Sequence, residues 1–199
     1  MWYTFKESSE AALAELTDAP DRTVGIVAAA MVESYLIDAL KKELHKDDTD
    51  FTNHVRANLF NPDGALGPFA AKIKLAYLMG YFTPEGYDDL QNIKNIRNLF
   101  AHYMEHGSFS AQRIKDRCTN FKLADKRVRQ PMMRARSGEG DWIEREGLSI
   151  ASNTLFLNLR DAEQVVKEPK GRFVAMAKLF VAAFELYAST GEPLKKPIV

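Results

Sequence analysis

The chain has 199 residues, of which 46% are hydrophobic and 27% charged, and 27 Lys and Arg balance 27 Asp and Glu. This composition is that of an ordinary globular protein with one hydrophobic core, and zero net charge argues against a polyanion binder. The single cysteine, Cys118, excludes an internal disulfide and a cysteine-based zinc cluster. Because the first ten residues carry charges where a signal peptide is apolar, we expect a soluble cytoplasmic protein.

Two helices are predicted at the start of the chain. A short acidic helix is expected over Glu7–Leu16, and a long helix extends from about Arg22 to His45, with Asp21 as its cap. Apolar or small residues cover most sides of the long helix, which indicates that it lies at the centre of a bundle.

Glu33 is the only charged residue between Thr23 and Ile37. A carboxylate in such a helix must be paired or protonated, because an isolated buried charge is costly. One interpretation is that Glu33 reaches solvent or a structural arginine; the other pairs it with Arg97 or His102 in a functional site. Both interpretations predict that Glu33 contacts the helix that contains Arg97 and His102.

Two more helices precede that one. The first is predicted over Phe51–Leu59, and the second over Leu66–Met79, with Leu78 among its apolar positions and Lys72 pointing outward. The link from this second helix to Thr83 is short, which makes it an antiparallel neighbour of the helix that follows.

The helix that begins at Thr83-Pro84 includes the sequence DLQNIKNIRNLFAH, which ends at His102. Apolar residues recur along it at steps of three and four and predict a core-facing side. These residues are Tyr87, Leu90, Ile93, Ile96 and Phe100. A second side carries a polar file, with Arg97 beside it. The members of this file are Gln91, Asn95, Asn98 and His102.

Asparagine is a poor helix former, so the polar file needs an explanation. The file is either a solvated helix face or a set of polar groups that hydrogen-bond to a neighbouring helix. Alternatively, it is part of a catalytic site. In that case Arg97 holds a phosphate and His102 exchanges a proton, either within one helix or across a dimer. Such a pair can cleave RNA without a metal ion.

A further helix is predicted from Ser108 or Ser110 to about Leu123, and a basic segment overlaps it. The segment Arg113–Arg136 has nine Lys or Arg and two Asp. It predicts an anionic partner such as RNA or DNA, or else a solvated surface that pairs with the acidic first helix. The candidate nucleic-acid-binding residues are Arg113, Lys115, Arg117, Lys126, Arg127 and Arg129.

The rest of the chain contains less regular sequence. An exposed loop is expected over Gln130–Gly147, and Ile150–Leu159 forms a short strand or an irregular apolar segment. A final helix covers about 172–189, and the tail from Gly191 is expected to fray. We therefore predict an all-α fold: one helical domain over 1–199, with an irregular, short-strand insertion around 130–160. Without a phosphate-binding loop or a metal-ligand motif, we expect no cofactor and no metal.

The run GALGPFAAKIKLAYLMGYFTPEGYDDLQNIKNIRNLFAH resembles the central block of the mannitol operon repressor (MtlR-like) family. The preceding long helix, with its carboxylate at Glu33, is also similar to that family, so the resemblance covers about Asp21 to Leu123. It implies a helical bundle that forms a dimer and lacks a conventional helix-turn-helix. It also implies a transcriptional regulator, a repressor or co-regulator, that works through protein partners.

The segment IRNLFAH also resembles the Arg-Asn-x-x-x-His signature of HEPN-type helical domains, several of which are metal-independent ribonucleases. That resemblance implies that Arg97 binds the scissile phosphate and His102 is the acid and base, while Asn98 orients the site and Glu33 buttresses it. Two hypotheses follow: an MtlR-like regulator, and an endoribonuclease such as the toxin of a toxin–antitoxin pair. The longer resemblance favours the regulator.

Overall fold

The computed structural model describes residues 2–3, 12–16, 18–44, 49–102, 107–134, 143–152, 154–190 and 199. Helices dominate these residues, and two small sheets accompany them. The helices are α1 (Asp21–Glu43), α2 (Asp50–Phe60), α3 (Phe69–Leu78), α4 (Pro84–His102), α5 (Gln112–Thr119), α6 (Ala124–Arg127), α7 (Ala162–Lys167) and α8 (Pro169–Thr190). The strands are β1 (Trp2–Tyr3), β2 (Val128–Arg129), β3 (Met132–Arg134), β4 (Ile143–Arg145), β5 (Gly147–Ala151) and β6 (Thr154–Asn158).

Helix α1 lies at the centre of the bundle, as predicted, and packs against α8, α4 and α3. Its length and apolar composition also match those of a membrane-spanning helix. However, eight of its residues are buried in the core, as expected for a central bundle helix. The prediction that Asp21 caps it is wrong: Pro20 occupies the cap position. Asp21 instead accepts hydrogen bonds from Ser108 Oγ at 3.0 Å and the Phe109 amide at 2.9 Å.

Helix α4 begins as the sequence predicts, and it is described up to His102. The Thr83 hydroxyl accepts a hydrogen bond from the Gly86 amide at 3.2 Å, so Thr83 caps the helix. Four of the five predicted core residues are fully buried, and Tyr87 is half-buried. Helix α4 approaches α1 so closely that a Cβ atom added at Gly25 would overlap the Phe100 ring. Gly25 therefore makes room for the Phe100 ring.

Helix α8 supplies much of the hydrophobic core, and Arg172 fixes its first turn. The Arg172 side chain donates hydrogen bonds to the backbone carbonyls of Cys118, at 3.0 Å, and Phe121, at 2.7 Å. It also donates to the Val166 carbonyl at 2.9 Å and forms a two-pronged ion pair with Asp125 at 2.7 and 3.0 Å. One buried guanidinium thus joins α8 to α5, α6 and α7.

The helix predicted from Ser108 or Ser110 to Leu123 is shorter than expected. Helix α5 covers only Gln112–Thr119, and the single turn of α6 follows after a break. The break coincides with a carboxylate on α4: Asp89 accepts hydrogen bonds from the amides of Lys122 and Leu123, each at 2.8 Å. These amides bond to Asp89 instead of continuing the helix.

The insertion contains more strand than predicted. Strand β5 pairs antiparallel with β1 and β6, and β2 joins the other side of β6 in parallel, which gives the order β1-β5-β6-β2. The register places Leu148 opposite Leu157 and Ile150 opposite Leu155. A separate pair, β3 with β4, lies within the segment predicted to be a loop, so that prediction is wrong for those residues. A mostly α-helical fold with short strands in this region is confirmed.

Some predictions fall partly outside the described residues. Of the acidic helix predicted over Glu7–Leu16, residues 12–15 are helical, and Glu7–Ala11 lie outside the description. The same holds for 135–142 of the predicted loop and for 191–198 of the predicted frayed tail. Val199 is described: it is buried, and its carbonyl accepts a hydrogen bond from the Thr83 amide at 2.8 Å.

Candidate functional site

The polar file of α4 faces outward from the bundle. Gln91 and Asn95 are half-buried, whereas Asn98 and His102 are exposed. Lys94 lies on the same side and donates a hydrogen bond to Gln91 Oε1 at 2.8 Å. The file is therefore a partly solvated helix face, and its amides are available for contacts outside the core.

Glu33 of α1 lies between two cations, one from α3 and one from α4. Its Oε1 accepts a hydrogen bond from Lys72 Nζ at 2.7 Å, and its Oε2 lies 3.3 Å from an Arg97 terminal nitrogen. The predicted contact between Glu33 and the asparagine-rich helix is thus confirmed. The side chains differ in exposure: 3% for Lys72, 21% for Glu33 and 35% for Arg97. The cluster is most deeply buried at Lys72 and reaches solvent at Arg97.

The prediction that Lys72 points outward is wrong. Lys72 is buried, and besides Glu33 it donates to the Gly67 carbonyl at 2.6 Å, at the turn before α3. Leu78, one of the apolar positions of the predicted helix, is 82% exposed. The turn at Gly67 and the carboxylate of Glu33 together satisfy an ammonium group that would otherwise be costly to bury.

We expect the stability of this cluster to depend on Glu33 more than on Arg97. Glu33→Gln leaves the buried Lys72 ammonium without its counter-charge, so the free energy of unfolding should fall by about 2 kcal/mol. Arg97→Met should lose less than about 1 kcal/mol, because a partly exposed ion pair contributes little. Urea unfolding of both variants measures the difference. Equal losses in the two variants would contradict this assignment.

The four residues of the predicted ribonuclease site divide into two pairs. Glu33 and Arg97 are in contact, as the buttressing role requires. Asn98 and His102 are exposed on the following turn of α4. Within the described residues, no hydrogen bond or ion pair joins His102 to Arg97 or Glu33. An arginine whose charge is matched by a carboxylate is less available to a phosphate than a solvated one.

The predicted basic residues are located in two different places. Arg113, Lys115 and Arg117 lie on α5, where the first two are exposed and Arg117 is half-buried. Lys126 on α6 is exposed and forms an ion pair with Glu85 of α4 at 3.1 Å. Helix α5 therefore offers the more accessible positive charge of the two places.

Arg127 and Arg129 contact the sheet. Their guanidinium groups lie 5.7 and 3.8 Å from the centre of the Phe156 ring, in cation–π geometry. Arg129 also donates hydrogen bonds to Asn158 Oδ1 and Ser149 Oγ, both at 3.0 Å. These contacts join β2 to β5 and β6 and give both arginines a structural role.

Asp89 was not singled out from the sequence, although it lies at the start of the asparagine-rich stretch. It is fully buried, and burial raises its pKa to about 6, although the two backbone amides act in the opposite direction. In the unfolded chain an aspartate titrates near 3.8. Between about pH 4 and 6 the folded protein therefore retains a proton that the unfolded chain has released.

This pKa difference predicts a pH dependence. As pH rises from about 4 to 6, the contribution of Asp89 to the free energy of unfolding should fall, and above about pH 6 it should stay constant. Asp89→Asn cannot titrate and should lack this component. Melting temperatures of both proteins across pH 4–8 measure it. Identical slopes below pH 6 in wild type and Asp89→Asn would show that the carboxyl of Asp89 does not titrate as described.

These observations define the class of protein: an α-helical bundle with a small mixed sheet. Charged residues of its helix α4 form ion pairs with residues of neighbouring helices. The chain belongs to the mannitol repressor (MtlR) family, whose model matches residues 9–169. The match includes the segment 21–123 on which the resemblance was based and extends beyond both its ends. No curated protein sequence matches the chain significantly.

A solved structure shares the fold. The chain is similar to a chain in the X-ray structure of the MtlR–HPr complex from Escherichia coli, with a TM-score of 0.53 and 14% sequence identity. The similarity covers 92% of this chain and 98% of the matched chain. At this identity the comparison establishes the common fold over almost the whole length of both chains.

Proposed function

We propose that this protein is a transcriptional regulator of the mannitol repressor type that acts by binding a small protein partner, HPr. The observation that carries the proposal is the family match over residues 9–169. The fold shared with a chain of the MtlR–HPr complex supports the choice of partner. The proposal places the protein in the cytoplasm.

The mode of action that we propose has two further parts. The protein works as a homodimer, and it represses through protein contacts without a conventional helix-turn-helix. If nucleic acid joins the complex, Arg113, Lys115 and Arg117 of α5 supply phosphate contacts, because two of them are exposed. Lys126, Arg127 and Arg129 contribute less, since Lys126 is paired with Glu85 and both arginines lie against the Phe156 ring.

Repression in cells tests the regulatory function. The chain is expressed in a strain that lacks its own mannitol repressor and carries a reporter gene behind the mannitol operon promoter. We expect reporter expression to fall several-fold compared with an empty vector. A matched promoter from an unrelated operon controls for general toxicity. Unchanged reporter expression in cells that contain the folded protein would count against the proposal.

The endoribonuclease alternative uses Arg97, His102, Asn98 and Glu33, and one observation favours it: Glu33 contacts Arg97 as a buttressing carboxylate would. We expect the wild-type protein not to cleave total RNA in the presence of chelator. His102→Ala should change the free energy of unfolding by less than about 0.5 kcal/mol, because the side chain is exposed. Metal-independent cleavage by wild type that is lost in a folded His102→Ala protein would instead establish the ribonuclease.

A further inference from the structure

We infer that an exposed apolar face of α2 is the docking surface for the protein partner, an inference that rests on the proposed function. Phe51 and Val55 lie one helical turn apart and are 77% and 50% exposed. Leu44, just after α1, is 37% exposed and borders the same groove. The groove has a volume of about 500 Å³, and Leu59 continues its apolar floor by a further turn.

Helix α2 lies at the edge of the bundle. None of its residues is buried. Thr49 caps it by accepting a hydrogen bond from the Thr52 amide at 3.1 Å, and Lys41 of α1 lies 5.7 Å from the Phe60 ring. Most helices of this length are stabilised by packing their apolar face against other elements. Among the described residues no element buries that face of α2, so its apolar residues can pack against another molecule.

The charge on α2 indicates what kind of molecule binds there. The helix has one acid, Asp50, and one base, Arg56, besides His54. These charges cancel, so the surface attracts neither a nucleic acid nor a strongly charged peptide. The groove itself is lined mainly by apolar residues, with Arg56 as its one charged lining residue, and is complementary to a protein that presents an apolar patch of its own.

The size of the surface distinguishes a transient partner from a second copy of this chain. Complete burial of Phe51, Val55 and Leu44 would remove on the order of 300 Å² of apolar surface, since one aromatic side chain accounts for roughly 200 Å². A stable dimer buries roughly 800 Å² on each subunit. Patches of a few hundred Å² are the size at which monomers commonly carry functional contacts. The face therefore fits a small protein that binds and dissociates.

Variants that keep the helix test this surface. Phe51→Ala/Val55→Ala removes the apolar face and favours helix, because alanine is the best helix former. Leu78→Ala is the matched control: it truncates a side chain that is 82% exposed on a different helix. Binding to immobilised HPr from the same organism is measured by biolayer interferometry, and solution mass by light scattering.

We expect the double variant to bind HPr at least tenfold more weakly than wild type, and Leu78→Ala to bind within twofold of wild type. The solution mass of the double variant should equal that of wild type. Unchanged HPr binding by the double variant overturns the docking surface but leaves the proposed function intact. A lower solution mass overturns it in favour of a second copy. A wild-type protein that does not bind HPr overturns the proposed partner, and this inference with it.

Discussion

Arg172→Met is expected to lower the free energy of unfolding by about 3–5 kcal/mol. Arg172 is only 7% exposed, and its guanidinium donates to four backbone carbonyls as well as to Asp125. Methionine fills the volume but removes the donors that Arg172 supplies, and each carbonyl that is then left unsatisfied adds its own cost. Urea denaturation followed by circular dichroism measures the loss.

Two further variants separate the hydrogen bonds of Arg172 from its charge. Arg172→Lys keeps the charge but cannot reproduce the planar fork of donors, so most of the loss should remain. Lys167→Met is the control, because Lys167 is 61% exposed and forms only a surface ion pair with Glu163; it should change stability by less than about 0.5 kcal/mol. Full stability of Arg172→Lys would mean that charge alone accounts for the role of Arg172.

Gly25→Ala is expected to cost about 2–3 kcal/mol, although alanine is the better helix former. The new methyl group would overlap Phe100, which is fully buried and packs edge-on against Phe109 with ring centres 4.9 Å apart. Either the ring leaves its position or α1 moves away from α4. The change in melting temperature and in urea midpoint measures the strain.

A double-mutant cycle shows whether the strain arises at Phe100. Phe100→Ala alone should cost about 3–5 kcal/mol because it leaves a cavity. In that background the added methyl of Gly25→Ala enters the space that the ring has vacated, so its extra cost should nearly vanish. Simple additivity of the two substitutions would show that the methyl group is strained elsewhere.

The sequence predicts helix boundaries well where capping and periodicity agree, as in α4. There Thr83 caps, Pro84 begins the first turn and apolar residues recur up to Phe100. The error at Lys72 has a different origin, because the residue was placed outside on account of its charge. Its spacing of three from Phe69 and four from Ala76 puts it on the buried face of α3. Because Glu33 lies in an apolar helix and needs a counter-charge, that spacing was an available signal for the buried ion pair.

Other features depend on contacts between distant segments. The alternation in Leu155–Asn158 indicates a strand, but the parallel pairing of β2 with β6 joins residues almost thirty positions apart and has no local signal. The contacts of Asp89 and Arg172 have no local signal either, because most of their partners are backbone groups that only the folded chain brings together. The shortened α5 follows from the contact at Asp89.

The exposure of the apolar face of α2 could not be predicted from the sequence either. Phe51, Val55 and Leu59 recur every four residues, which is the pattern of any helix that packs on a core. Periodicity predicts the helix and its apolar side, and that helix is observed. It cannot show whether the side is covered, because exposure depends on where the neighbouring helices lie.

Calorimetric titration of the purified protein with HPr from the same organism tests whether this protein is a regulator that binds HPr. We expect saturable binding, with HPr in a fixed ratio to the regulator and a negative heat-capacity change from burial of apolar surface. The folded state is checked on the same sample by its melting transition. Absence of binding at protein concentrations of about 100 μM, well above the range of specific signalling complexes, would contradict the account.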